Sequence, residues 1–447
     1  MSWQHCTTED LRHSLDGRTT ATPTTQSHLA SSTYHLNRTP PFPEGTAQGY
    51  LTILGAFMAL FCTFGQMNAF GTYQAWYAEH QLRALQPSTI AWIGSLQLWV
   101  FFLSGGPIGR LFDEYGPRWL MLAGSLIHVF SIAMTSISTR YYQYILAHGI
   151  VFGLGVGMLF YPSMSSVSTY FYKRRATALG VVASGSSCGG VMYPLALQRL
   201  FQRVGFGWGV RISALLSFVC CVVAVCTVTR YAPPKARGGG GGGAAAASKV
   251  KETFRDGRFV LLAGGSSLVA LGLFIPFFFI VDYAHALSLP PALDPLILAL
   301  MNTGGVLGRI APAYLADLLG PFNLLAPSAL LSGLLCVLLW LLFARGVGGL
   351  VCFAAAYGFA SGAFISVVTP CVGVISDIRE IGGRIGVLYS LIAFPSLFGG
   401  PIAGKLLEAG KGDYTGLILF AGLTLIAGSV LILAAKLKID PRLFARV

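Results

Sequence analysis

Twelve apolar runs, each about 20 residues or longer, limit what this chain can become. They lie near residues 50–76, 88–109, 118–138, 143–170, 176–198, 208–229, 259–284, 293–312, 322–343, 347–374, 384–407 and 415–436. About 20 apolar residues coiled into a helix cross the hydrocarbon core of a bilayer. Inside that core every backbone N–H and C=O must be paired within the protein, which leaves helices and closed barrels. The runs lack the roughly ten-residue alternation of a transmembrane barrel. Composition agrees: the chain is 54% hydrophobic and 11% charged, where a soluble protein carries about 25% charged residues. The expected fold is an all-α polytopic membrane protein.

The net charge of +13 does not point to nucleic acid, because the basic residues come in short bursts between apolar runs. With the amino terminus inside, 22 of the 30 Lys and Arg fall on the inner side and 8 on the outer. This is the asymmetry of the positive-inside rule, and it places both termini in the cytoplasm. The sequon Asn37-Arg38-Thr39 would then never meet the glycosylation machinery. The expected location is the cell membrane, with a vacuolar or other internal membrane as the alternative. The nine Cys are scattered and lack metal-ligand spacing, so they read as small buried hydrophobes.

Residues 1–48, rich in Ser, Thr, His and Pro, are expected to be a disordered cytoplasmic tail. Residues 230–257 contain the run "GGGGGGAAAA" and read as a flexible cytoplasmic linker. It separates a six-helix half over 49–229 from a second over 258–437, followed by a short tail over 438–447.

Two stretches break the apolar pattern in the same way. "GRLFDEYGPRWLM" and "AYLADLLGPFNLL" share Leu-x-Asp-x-x-Gly-Pro, at Leu111 to Pro117 and at Leu315 to Pro321. Each follows an even-numbered run at the same place in its half. A fainter echo joins "RRATALGV" before the fifth run to "EIGGRIGV" before the eleventh. Duplicated six-helix halves are a transporter architecture, with substrate bound at mid-membrane between them.

"GRLFDEYGPR" resembles the loop motif of the major facilitator superfamily, Gly-x-Leu-x-Asp-Arg-x-Gly-Arg-Arg. Gly109, Leu111, Asp113, Gly116 and Arg118 match, while Glu114 and Pro117 replace two basic positions. Within the superfamily the chain is similar to the fungal branch of the monocarboxylate porters. That likeness rests on "FGQMNAFGTYQAWY", "YFYKRRATALGVVASGSSCGGVMYP", "GWGVRISA", "NTGGVLGRIAPAYLADLLGP", "YGFASGAFISVVTPC" and "REIGGRIGVLYSLIA", and it extends from about residue 50 to 435. The resemblance implies two pseudo-symmetric six-helix halves, alternating access, no cofactor, and a monomer in membrane lipid carrying a small molecule.

The same resemblance implies a gate. Asp113, expected just past the inner end of the second helix, would cap the positive amino terminus of the eleventh helix near Arg384. Gly109, Gly116 and Arg118 complete this gate, and Asp317 and Gly320 mirror it. The alternative is a hydrated turn whose charges only fix topology. Lys173 to Arg175, before the fifth helix, read equally as a gate contact or as an anchor for anionic lipid.

Arg309 is the sharpest candidate for binding. An intramembrane Arg is costly, and its fork can hold a carboxylate through two bonds. The resemblance links it to a substrate anion. Snorkelling to the interface, or an ion pair with Asp317, explains it equally well. Animal monocarboxylate carriers place an Asp four residues earlier, where this chain has Gly305, and their first-helix Lys has no counterpart here. Proton coupling by that pair is therefore not expected; His128, His148 and Asp282 are the other protonatable candidates. Gln66, Asn68, Gln97 and Asn302 are uncharged polar residues within spans, expected to line the substrate cavity, with a bond to a neighbouring helix as the alternative.

Neither a phosphate-binding Gly-x-x-x-x-Gly-Lys-Ser/Thr loop nor a cluster with metal-ligand spacing is present in the sequence. No catalytic residue or metal ligand is therefore assigned. A secondary transporter is the expected function. Export of an organic acid or secondary metabolite is favoured by the absent proton pair and the fungal likeness. Uptake of a monocarboxylate or vitamin-like nutrient, and a non-transporting receptor on the same fold, are the alternatives.

Overall fold

A computed structural model describes residues 43–231, 252–290, 294–377, 380–442 and 445. Residues 1–42 of the expected tail with the sequon, the glycine run of the linker and Arg379 lie outside these residues, whereas residues 43–48, expected in the tail, are placed, with a helix beginning at Ala47. The described chain is helical from end to end. α1 (Ala47–Asn68) and α2 (Phe70–Glu79) form one interrupted rod, followed by α3 (Pro87–Leu103), α4 (Gly105–Tyr115) and α5 (Pro117–Ile137). α6 (Tyr141–Tyr144) passes through a π-helical turn, Ile145–Val151, into α7 (Phe152–Tyr170). α8 (Arg175–Val204) and α9 (Phe206–Thr227) complete the first set. The second set is α10 (Gly257–Leu273), α11 (Ile275–Ala286), α12 (Asp294–Leu319), α13 (Pro321–Leu334) with a π-helical continuation Leu335–Phe343, α14 (Val347–Val374), α15 (Ile381–Ala409) and α16 (Thr415–Ile439).

Among the described residues, 10 helices or helix pairs are long and apolar enough to cross a membrane. The bent pair α3–α4 makes an eleventh. The twelfth expected span corresponds to α8, whose 30 residues are long enough but rich in Gly, Ser and Arg. That polarity has a packing reason. The stretch "ASGSSCGG", Ala183 to Gly190, lets α1 and α12 approach α8 closely, as small residues do where helices pack in a bilayer.

Because successive spans alternate direction, α1, α5, α8, α10, α13 and α15 all begin at one end of the bundle. This end is called the near end, and the opposite one the far end. The most extensive packings between the two sets are α12 on α8 and α15 on α3 and α4.

The repeated motif has the same structure twice. Asp113 and Asp317 lie in the last turns of α4 and α12, so the helices run further than expected and the carboxylates stand within them. Gly116 (φ 78°) and Gly320 (φ 96°) then turn left-handed, a conformation that side chains with a Cβ resist. Their N–H groups close the helix ends on the carbonyls of Phe112 and Ala316, at 2.9 and 2.8 Å. Pro117 and Pro321 start the next helices at the first position, where a missing N–H costs nothing.

α3 and α4 meet at a bend of 40° around Ser104. Such a break leaves backbone groups without helical partners. Ser390 of α15 meets them: its hydroxyl donates to the Leu103 carbonyl at 3.0 Å and accepts from the Gly106 N–H at 2.8 Å. The break is therefore held from the other set of helices.

Candidate functional site: two carboxylate clamps and a buried arginine

The near end is held shut by two carboxylates, each set against the amino terminus of a helix from the other set. Asp113 accepts from the N–H groups of Gly382 (3.2 Å) and Gly383 (2.7 Å) at the start of α15. Asp317 accepts from the N–H groups of Ala176 (2.8 Å) and Thr177 (2.7 Å) at the start of α8, and from the Thr177 hydroxyl at 2.6 Å. The first turn of a helix has unpaired N–H groups and a positive dipole end. A carboxylate there satisfies both, and both bonds are lost if the two sets separate.

Close backbone approach makes the first clamp possible. A Cβ at Gly109 would stand 2.1 Å from the Gly382 carbonyl oxygen. Arg384, three residues into α15, donates to the Ile375 carbonyl at 2.7 Å and lies 3.5 Å from the Asp256 carboxylate. Burial pushes the Asp256 carboxyl up, but the bonds and charge of Arg258 and the charge of Arg384 hold it below the usual carboxylate range. Arg384 thus braces the start of α15 within its own set. Arg118 is exposed and makes no hydrogen bond or ion pair among the described residues, so the structure does not bring it to the clamp.

Three further contacts hold this end. Arg175 donates through Nε to the Phe171 carbonyl and through Nη1 to the Gly373 carbonyl of α14, both at 3.0 Å. Glu44 accepts from the backbone N–H groups of Tyr172 and Lys173. Arg230, just past α9, donates to the carbonyls of Phe112 (3.0 Å) and Asp113 (3.1 Å). In the sequence Arg175 reads equally as a gate contact or a lipid anchor, whereas Glu44 and Arg230 give no such signal, because their partners are distant along the chain.

Arg309 lies ten residues before the end of α12, far deeper than its expected place at the inner end of the eighth helix. Its side chain is buried at 6% exposure, which excludes snorkelling to the interface. Its Nη1 donates to the Ala183 carbonyl at 3.1 Å and to the Ser186 hydroxyl, so α8 rather than Asp317 receives it. Its Nε is buried without a hydrogen-bond partner among the described residues. Asn68, exposed at the end of α1, donates to the Ser186 carbonyl at 3.3 Å. Asn302, two turns before Arg309 on α12, donates to the Leu298 carbonyl at 3.0 Å. A Cβ at Gly190 would stand 2.5 Å from Asn302 Oδ1 and 3.1 Å from Asn68 Nδ2. Arg309, Asn68 and Asn302 therefore converge on one stretch of α8.

Aromatic rings meet across the two sets on the α15 side. Tyr389 of α15 lies 5.6 Å from Phe160, 5.7 Å from Tyr161 and 5.9 Å from Phe102, centroid to centroid. Its hydroxyl is 3.1 Å from that of Thr369.

Gln66 and Gln97 have a different place from the lining one expected. Gln66 is buried and its Nε2 donates to the Ser213 hydroxyl of α9 at 3.0 Å. Gln97 is buried and donates to the His148 carbonyl in the π-turn at 2.6 Å. Both are bonds between neighbouring helices of the first set. His148 is paired through Nδ1 with the Tyr77 hydroxyl at 3.0 Å, and His128 is fully buried against Phe152. Asp282 is exposed on α11.

The profile of the Major Facilitator Superfamily matches residues 55–373. The agnestins efflux protein AgnL12 of Paecilomyces divaricatus is 38% identical over 94% of this chain and 94% of its own length. An MFS-type transporter of Gibberella moniliformis is 37% identical over 91% of this chain and 94% of its own. Among solved structures, the human organic anion transporter MFSD10 superposes with a TM-score of 0.69 over 88% of this chain and 100% of its own, at 16% identity. The chain is a multi-pass membrane transporter rather than an enzyme, and it belongs to the major facilitator superfamily.

Proposed function

We propose that this protein exports an anionic organic metabolite by rocking residues 49–229 against residues 258–437, with residues 230–257 as the tether. The observation that carries this reading is the pair of clamps, Asp113 on α15 and Asp317 on α8, set at equivalent points of a duplicated motif. A carboxylate on a helix end is a reversible closure: intact it seals the near end, broken it opens that end to substrate. The excess of Lys and Arg on the near side supports a cytoplasmic near end and cytoplasmic termini. Substrate would then enter from the cytoplasm and leave at the cell surface, and the agnestins efflux protein is a relative consistent with that direction. The protein is taken to act as a monomer surrounded by lipid, with protons as the candidate coupling ion.

Arg309 is the proposed anion contact, with Asn68 and Asn302 beside it, and Tyr389 supplies a nearby aromatic surface. The buried Nε of Arg309, unpaired among the described residues, supports that role, because a buried donor without a partner costs about 1–3 kcal/mol until a ligand meets it. Arg309→Lys keeps the charge and loses the planar fork. The expected result is a rise of about tenfold or more in the KM for an anionic substrate, with the protein still folded in the membrane. Unchanged flux in proteoliposomes would remove Arg309 from the binding site. Direction is tested in the same vesicles. Substrate accumulating in right-side-out vesicles under an inward proton gradient would replace export by uptake.

A further inference from the structure

We propose that Arg230 is the partner Asp113 takes when the near end opens, so that the carboxylate exchanges the start of α15 for a guanidinium at the start of the linker. The proposal rests on the gate reading above and adds the second state of that gate.

The superfamily loop pattern carries cations close to its Asp, but in this chain Glu114 and Pro117 stand at two of those positions and Arg118 is exposed. Opening the near end would thus strip Asp113 of the two N–H groups of Gly382 and Gly383, and the cations of its own loop, Arg110 and Arg118, are both exposed. Arg230 is placed to fill that role. Its Nη1 already donates to the carbonyls of Phe112 and Asp113. Its guanidinium lies over the Phe112 ring, 4.9 Å from the centroid, a stacking that fixes the plane of the fork. Its Nε and Nη2 are buried and have no hydrogen-bond partner among the described residues. Burial pushes the Arg230 pKa down while the Asp113 charge pushes it back up, so the two groups already feel each other.

Two unspent donors beside the carboxylate that must change partners are more than a helix cap needs. A carbonyl cap uses one nitrogen, whereas a carboxylate takes two in parallel. The closed state leaves Nε and Nη2 idle because α15 occupies Asp113. The open state would use them. The tether between the halves begins at the same residue, so its first side chain reports the state of the gate.

The test reads the near-end distance between spin labels at Trp119→Cys on α5 and Tyr314→Cys on α12, both exposed positions. It uses the full chain, with Cys6 and the exposed native Cys226 and Cys352 replaced. Arg230→Met should lower the near-open population about tenfold, the order expected for one lost charge-assisted pair. Arg230→Lys should recover part of it. In an Asp113→Asn background, Arg230→Met should change nothing further. Conversely, the opening caused by Asp113→Asn should be about tenfold larger in the Arg230→Met background than with Arg230 present. An equal Asp113→Asn shift in both backgrounds would leave the gate standing and reduce Arg230 to a cap on α4. No Asp113→Asn shift in either background would overturn the gate and this proposal together.

Discussion

Gly109→Ala is expected to remove most transport, about tenfold or more, while the protein still inserts and folds. The argument is steric. A Cβ at this position would stand 2.1 Å from the Gly382 carbonyl oxygen and 2.8 Å from its carbon, both backbone atoms of α15. Rotamer changes cannot relieve such a contact, so the helices must part. Overpacking of this kind typically costs about 1–3 kcal/mol, and here the cost falls only on the state in which α4 and α15 touch. With the near end open the methyl group meets nothing across that interface. The substitution therefore acts as a wedge that biases the gate rather than as a general destabilisation. The expected signature is a longer Trp119→Cys to Tyr314→Cys distance together with an unchanged amount of folded protein in the membrane. Wild-type flux in Gly109→Ala would mean that α4 and α15 need not approach this closely during the cycle.

That wedge position was visible in the sequence as the first residue of the superfamily loop motif, and so was the partner of Asp113. A Gly-Pro pair after an acidic residue marks a helix end twice over, because each residue type is restricted in backbone conformation. What the pattern hid was helix length. "GRLFDEY" is charged and reads as a loop, yet it continues α4 to Tyr115, and "AYLADLL" likewise carries α12 to Leu319. Hydropathy marks where the lipid ends, not where the helix ends. Ending the eighth span near residue 312 placed Arg309 at an interface, when its helix in fact runs to Leu319, ten residues past it. The bend between α3 and α4 was masked by apolar residues on both sides, although Ser104, Gly105, Gly106 and Pro107 carried a signal of it. Gln66 and Gln97 show the other limit. A polar residue in a span has the same local appearance whether it faces a cavity or a neighbour. Only the packing of Ser213 and of the His148 turn against them decides it.

Asp317→Asn is expected to open the near end further than Asp113→Asn, although the two residues occupy the same place in the same motif. The two clamps are alike in the closed state: each carboxylate takes two backbone N–H groups, and Asp317 adds the Thr177 hydroxyl. An Asn in either place has one acceptor oxygen and no charge, so each closure should weaken by about 1–2 kcal/mol. The difference lies in the open state. Asp113 has Arg230 beside it, so its replacement also takes a partner from the open gate, and the two losses partly cancel. Such cancellation follows from the rule that a group shifts an equilibrium only by its differential interaction with the two states. At Asp317 the carbonyl at the end of α12, that of Ala316, is capped by the Gly320 N–H, and Asn323 donates to the Leu319 carbonyl at 2.7 Å. An amide thus occupies this helix end where Arg230 stands on the other. The expected shift toward the near-open state is about tenfold for Asp317→Asn and at most about threefold for Asp113→Asn. The sites touch different helices, so the double variant should approach the product of the two shifts. Transport should fall in the same order, because a carrier that cannot close its near end cannot deliver substrate to the far one. Equal shifts from the two single variants, read by the same label pair, would show that the halves of this gate are energetically interchangeable.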